Sequence, residues 1–196
     1  MKGATICVYC GSNHGSRQAY QDAAQAMGKE LVRRGLGLVY GGGSVGLMGT
    51  IADTVLAEGG EVIGVLPRGL FRAEIGHAGL TEMHLVNSMH ERKKMMVDLA
   101  DGFVAMPGGF GTLDELFEVI TWAQLGLHVK PVGLLNVANY FAPLLAMVQH
   151  HVEEGFILPQ HAALIMQDTD PAALLDAFAM YVSPIPPAKR QDVPEP

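Results

Sequence analysis

The order of apolar and amphipathic segments predicts an α/β fold: a Rossmann-like, doubly wound parallel sheet with helices on both faces, built as a single domain. Three observations carry this expectation. Short, nearly all-apolar runs alternate with longer stretches of helical period, the pattern of strands buried on both faces of a parallel sheet. Glycine-bearing turns follow the first, second and fifth of those runs, at Cys10-Gly11-Ser12, Gly41-Gly42-Gly43-Ser44 and residues 107–112. In such sheets ligands bind beyond the carboxyl ends of the strands, where the strand order reverses, so these turns also mark a candidate site. Finally, a chain of 196 residues that is 49% hydrophobic and 17% charged suits one substantial core.

The elements follow in order. The chain enters its first strand at 4–9, and a helix is predicted over 17–34. A strand at 36–40 leads through Gly41 to Gly43 into a helix over 46–58, where Gly46 and Gly49 are expected to allow close packing. After a strand at 61–66, residues 67–79 show no clear element and carry Arg68, Arg72 and Glu74; loops of this length are often functional. A strand at 82–85 precedes a helix over 89–100 that Ser88 is suited to cap, with Met89, Met96, Leu99 and Ala100 turned inward. A strand at 102–106 precedes a helix over 112–125, where Leu113, Leu116, Phe117, Ile120 and Leu125 recur at roughly helical spacing. A strand at 131–135 and helices over 140–154 and 171–181 complete a domain expected to span 1–182. The segment 183–196 contains five prolines and several charges, and is expected to remain a mobile tail outside the core.

The formal net charge of −7 disfavours nucleic acid and anionic membrane surfaces, which call for a basic face. No apolar run has the length of a signal peptide's core or of a membrane span. Cys7 and Cys10 are spaced Cys-x-x-Cys, but they lie at the end of a strand, away from a helix start that would stabilise a thiolate. No second pair completes a zinc site, so free interior thiols and a reducing cytoplasm are expected. The eight histidines are scattered without metal-ligand spacing, and neither a metal nor a redox cofactor is expected. A small-molecule partner fits this composition best.

The chemistry concentrates in Met106-Pro107-Gly108-Gly109-Phe110-Gly111-Thr112-Leu113-Asp114-Glu115. An apolar strand runs through a glycine turn into a helix, and without Cβ atoms the turn's N–H groups can converge on an anion while the helix start adds unpaired donors. No Lys follows the last glycine as in a Walker loop, and the spacing differs from the dinucleotide fingerprint. Taken alone, the segment also fits a turn that packs a helix closely on a sheet. Glu115 falls about one turn into the helix, facing whatever lies beyond a bound phosphate. In the helix over 89–100, Arg92 and Lys93 are adjacent and point about a hundred degrees apart, so one solvated stripe cannot explain both.

Pro-Gly-Gly-Phe-Gly-Thr-Leu-Asp-Glu at 107–115, Met-His-Glu-Arg-Lys at 89–93, Gly-Gly-Gly-Ser-Val-Gly-Leu-Met-Gly at 41–49 and Cys-Gly-Ser at 10–12 together resemble the Lonely Guy family. Its members are cytokinin riboside 5′-monophosphate phosphoribohydrolases, often labelled lysine decarboxylases in bacteria. The resemblance covers roughly residues 4–181. It implies that a purine ribonucleoside 5′-monophosphate loses its base, giving adenine or an N6-substituted adenine and ribose 5-phosphate. It further implies that Arg92 and Glu115 are catalytic and that Glu74, Lys93, Gly108, Gly109, Phe110, Gly111, Thr112, Leu113, Asp114 and Thr121 line the substrate site. Gly109, Gly111 and Thr112 would carry the phosphate. Asp114 also suits a bland role as a first-turn acid against the helix dipole. Thr121 lies nearly across the helix from Glu115, which opens a contribution across a dimer interface, and the apolar helices over 112–125 and 140–154 suggest a homodimer.

Other classes fare less well. A pyridoxal phosphate decarboxylase needs a Schiff-base lysine in a dedicated pocket, and Lys29, Lys93, Lys94, Lys130 and Lys189 offer no such context. An NAD-dependent oxidoreductase lacks its fingerprint spacing. A non-catalytic nucleotide or molybdenum-cofactor carrier is the serious alternative, although a carrier has no need of both Arg92 and Glu115.

Overall fold

Every strand whose residues point to both sides of a sheet must be covered twice, and the computed structural model shows how this chain does it. The described residues are 3–71 and 76–187. In chain order they form β1 (Thr5–Tyr9), α1 (Gln18–Arg33), β2 (Gly37–Tyr40), α2 (Gly46–Ala57), β3 (Val62–Pro67), α3 (Arg68–Phe71), β4 (Glu82–Val86), α4 (Met89–Leu99), β5 (Gly102–Ala105) and α5 (Phe110–Gln124). Then come β6 (Val132–Leu135), a 3-10 turn (Val137–Asn139), α6 (Ala142–Glu153), α7 (Pro159–Ala162), β7 (Ile165–Asp168) and α8 (Pro171–Ala179). The strands make one seven-stranded sheet in the order β4-β3-β2-β1-β5-β6-β7, and every pairing is parallel. The expected α/β class and doubly wound sheet are therefore present.

The two-residue period of the strands divides the core. Ile6, Val8 and Cys10 join Leu38, Tyr40, Val104 and Met106 under α1, α2 and α8. Cys7, Tyr9, Val39, Phe103 and Ala105 face α4, α5 and Phe141 on the other side. Cys7 and Cys10 thus stand in different layers, both free and buried, and burial pushes both thiols well above the ordinary range. Their spacing does not make a redox pair. No helix among the described residues is long and apolar enough to cross a membrane.

Several boundaries depart from the sequence expectations. The strand β7 and the short helices α3 and α7 were not anticipated: β7 pairs on one side only, as an edge, and its Ile-Met-Gln-Asp lacks the all-apolar signature of the inner strands. The helix expected over 112–125 begins two residues earlier, with Gly109 at its N-cap. Its buried face is Thr112, Glu115, Leu116, Val119, Ile120 and Ala123, whereas Phe117 and Leu125 of the expected stripe are exposed. The segment expected to stay clear of the core sends Ile185 into it, against Ala123 and Leu164. Glu74 lies outside the described residues.

Chain order places a crevice. From β1 the chain builds outward through β2 to β4, and it then returns to the other side of β1 with β5. The reversal point is the gap between the carboxyl ends of β1 and β5, where the Cys10 and Pro107 turns lie.

Candidate active site

A cavity of about 420 Å³ opens at this reversal point, lined by the turn after β1, the start of α2, Met89 and Arg92 of α4, residues 107–112, Glu115 and Tyr140. Its rim is held by backbone. The Gly11 N–H donates to the Pro107 carbonyl at 3.0 Å, while the Gly11 carbonyl accepts from the N–H groups of Leu47 at 3.0 Å and Met48 at 3.3 Å. Two of the donors at the start of α2, those of Leu47 and Met48, are thereby used inside the protein. A Cβ on Gly46 would run into the Ser12 backbone and one on Gly49 into the Ser44 carbonyl, so both glycines serve close packing, as expected.

The start of α5 is different. By helix geometry the N–H groups of Phe110, Gly111 and Thr112 have no intrahelical acceptor, and all three residues line the cavity. A Cβ on Gly109 or Gly111 would meet nothing within 4 Å, whereas one on Gly108 would strike the Thr112 side chain and crowd the Gly11 N–H. Gly108 is thus a packing glycine, and Gly109 and Gly111 leave space open beside unpaired donors. With the positive end of the helix dipole, this arrangement can bind an anion.

Below the cradle lies an ion pair. Ser88 caps α4 by accepting the Glu91 N–H at 3.1 Å, as its sequence position predicted. One turn on, Arg92 donates through Nη1 to Glu115 Oε1 at 2.7 Å and through Nε to the Val65 carbonyl at 3.0 Å. Gly41, at the end of β2, makes this reach feasible: a Cβ there would collide with the guanidinium. Glu115 is 7% exposed because it sits on the buried face of α5. Burial raises its pKa above the ordinary carboxylate range, with Arg92 opposing that rise and Asp114 adding to it. A buried carboxylate held by one arginine at the foot of an anion cradle can stabilise positive charge on a bound ligand.

The structure gathers Arg92, Gly108, Gly109, Phe110, Gly111, Thr112 and Glu115 around one cavity. Other residues expected there lie elsewhere. Lys93 points along α5, pairing with Asp114 at 3.2 Å and Glu118 at 3.1 Å; burial works against its charge, and these two carboxylates outweigh it and raise its pKa. Asp114 falls in the second turn of α5, since the helix starts at Phe110, so its partner is Lys93 and the first-turn reading does not hold. Leu113 packs on the core, and Thr121 is exposed, donating to the Phe117 carbonyl at 2.7 Å. Met89, expected inward, is 40% exposed at the cavity. Asn13, His14, Tyr20, Leu47, Met48 and Tyr140 are lining residues that sequence reading missed. Extending the Cys10 turn by two residues would have found Asn13 and His14; Tyr140 carries no local signal.

A family model described as "Possible lysine decarboxylase" matches residues 48–178. The cavity does not fit pyridoxal phosphate, because no lysine lines it among the described residues. A cytokinin riboside 5′-monophosphate phosphoribohydrolase of Oryza sativa subsp. japonica is 50% identical over 177 residues, covering 90% of this chain and 73% of that protein. Another of the same name from Arabidopsis thaliana is 50% identical over 177 residues, covering 90% of this chain and 83% of that protein. Among solved structures, the molybdenum cofactor binding protein of Rippkaea orientalis matches with a TM-score of 0.69 at 20% identity, over 92% of this chain and 98% of that one. That likeness reflects a common fold. Half its residues being shared with the two plant proteins over 90% of its length, the chain belongs to the Lonely Guy family of cytokinin riboside 5′-monophosphate phosphoribohydrolases.

Proposed function

We propose that this protein hydrolyses the N-glycosidic bond of purine ribonucleoside 5′-monophosphates, carrying adenine or an N6-substituted adenine, and releases the free base and ribose 5-phosphate. The buried Arg92–Glu115 pair beneath the glycine cradle carries the reading. The 5′-phosphate rests on the N–H groups of Phe110, Gly111 and Thr112, and this remote binding positions the ribose over Glu115. As the C1′–N9 bond breaks, its electron pair leaves with the purine and positive charge develops on the C1′–O4′ unit, which the Glu115 carboxylate stabilises. Water supplies the oxygen that bonds to C1′, and a proton ends on the departing base. Arg92 keeps Glu115 oriented and opposes the effect of burial on its ionisation. A carrier would require the cradle alone, so the ion pair favours catalysis.

The protein acts as a homodimer in this reading. Phe117, Thr121 and Leu125 stand in one exposed row on α5, with Phe110 93% exposed at its start, and a second copy would cover them. Thr121 then reaches the partner's cavity, and Lys93, Asp114 and the loop bearing Glu74 complete the surroundings of the substrate. The buried free thiols accord with a cytoplasmic setting.

Incubation with AMP, N6-isopentenyl-AMP and adenosine, with separation of bases from nucleotides, tests the activity. Base should be released from the monophosphates and scarcely from adenosine, and equal rates on AMP and adenosine would refute the reading. Glu115→Gln and Arg92→Ala should each remain folded and lose at least about two orders of magnitude in rate. More than half the parent rate in either variant favours the carrier.

A further inference from the structure

Two consecutive residues after β6, Ala138 and Asn139, adopt positive φ of 50° and 59° although neither is glycine. Left-handed backbone is disfavoured for a residue with a Cβ and persists where the surroundings over-determine it. Here they do. The Asn136 N–H donates to the Asp168 carbonyl at 2.8 Å, and its side-chain amide donates to Gln167 at 3.1 Å. The Asn136 Oδ1 accepts the Phe141 N–H at 2.8 Å, and the Phe141 ring is anchored in the core. The turn is thus fixed at both ends, and between them it delivers Tyr140 to the cavity wall.

Tyr140 makes three contacts there. Its ring packs edge-on against Tyr20, with centroids 5.8 Å apart, and against Phe141 at 5.1 Å. Its hydroxyl donates to the carbonyl of Gly108, the first glycine of the cradle. In a trans peptide the carbonyl and the following N–H point in opposite directions, so holding the Gly108 carbonyl also sets the Gly109 N–H. The flanks of this unit are held, Gly108 by Thr112 and the Gly11 turn and Gly109 by its carbonyl, which accepts the Leu113 N–H at 3.2 Å, and the Tyr140 hydroxyl holds the peptide between them. Gly109 is the N-cap from which the Phe110, Gly111 and Thr112 donors follow, so a flip of this peptide would shift the backbone that presents them.

We propose that Tyr140 is a positioning residue that locks the Gly108–Gly109 peptide and so preorganises the cradle for a 5′-phosphate. This rests on the reading of the cavity as a nucleoside 5′-monophosphate site. The strained turn is then the means by which β6 and β7, which contribute nothing else to the cavity wall, support phosphate binding.

Tyr140→Phe tests it, since the ring contacts remain and only the hydroxyl is lost. The KM for AMP should rise roughly tenfold while kcat changes by less than about threefold, and the residual kcat/KM on adenosine should stay as in the parent. In a Glu115→Gln background, calorimetry should show AMP affinity falling by the same factor, with a melting curve confirming the fold. A KM for AMP within about twofold of the parent, or an equal loss on AMP and adenosine, overturns the role of Tyr140 while leaving the function intact. A parent protein that neither binds nor cleaves AMP overturns both, and that result is visible before any variant is compared.

Discussion

Arg92 shows how much of this site depends on a single absent atom. Its guanidinium passes the end of β2 on its way to Glu115, and a Cβ at position 41 would overlap Nη2, so any larger residue there must displace the guanidinium. Gly41→Ala should therefore disturb the ion pair without touching either charged residue. Burial already raises the Glu115 pKa, and Arg92 is the main influence lowering it. Displacing Arg92 lets that pKa rise further, so the acid limb of the kcat/KM profile should move to higher pH, with activity near pH 7 falling at least about tenfold. The same sign governs stability. A carboxyl with a raised folded pKa favours the folded state while protonated, and that contribution is lost as pH rises through the raised value. An acid limb and a rate identical to the parent's in Gly41→Ala would mean that the guanidinium accommodates a methyl group and that Gly41 has no part in positioning it.

At the scale of elements, the decisive contrast is between two helix starts. The start of α2 spends the Leu47 and Met48 N–H groups on the Gly11 carbonyl, while Phe110, Gly111 and Thr112 at the start of α5 have no intrahelical acceptor and line the cavity. Under the proposed function the phosphate therefore belongs at α5, and Gly46 and Gly49 serve close packing. Gly109→Ala and Gly111→Ala should each lower AMP affinity about tenfold or more, measured by calorimetry in the Glu115→Gln background. Neither glycine has positive φ, and an added Cβ enters open space, so the fold should persist. For Gly111, which lies inside α5, alanine removes glycine's entropic penalty, and the melting temperature should hold or rise as binding falls. Unchanged affinity in both variants would mean that the turn merely seats a helix on the sheet. The turn itself was legible from 106–115, but the exact start of α5 was not: two glycines and a phenylalanine give no capping signal, and packing against the Cys10 turn decides the boundary.

For the whole molecule, the exposed face of α5 is the feature that a lone chain leaves unexplained. Phe117 is 36% and Leu125 54% exposed on a helix whose opposite face is fully packed. Light scattering at micromolar concentration should give about twice the 20.9 kDa of one chain. Phe117→Glu should shift the population towards monomer, and should lower activity as well if Thr121 serves the partner's cavity. A parent protein that scatters as a monomer would sink the dimer.

The sequence alone determined the fold class, because buried parallel strands and amphipathic helices write their periods into consecutive residues. It also marked Arg92, Glu115 and the glycine cradle, since the cradle and its helix are contiguous and the family's motifs name the rest. The tertiary structure decided what connects them. Arg92 meets Glu115 across 23 positions of chain only because β3, β2, β1 and β5 stand side by side, and strand order is a property of the assembled sheet. For the same reason the turn at Gly41 was legible as a candidate but not as the gap beside Arg92, and Tyr20 and Tyr140 were illegible as site residues: these roles arise where strand ends converge, and no local pattern encodes which ends will be neighbours. Lys93, Asp114 and Thr121, which the resemblance places at the substrate, lie elsewhere in the single chain because helix geometry sets the face each takes: Lys93 bridges from α4 to Asp114 and Glu118 of α5, and Thr121 stands in the exposed row of α5.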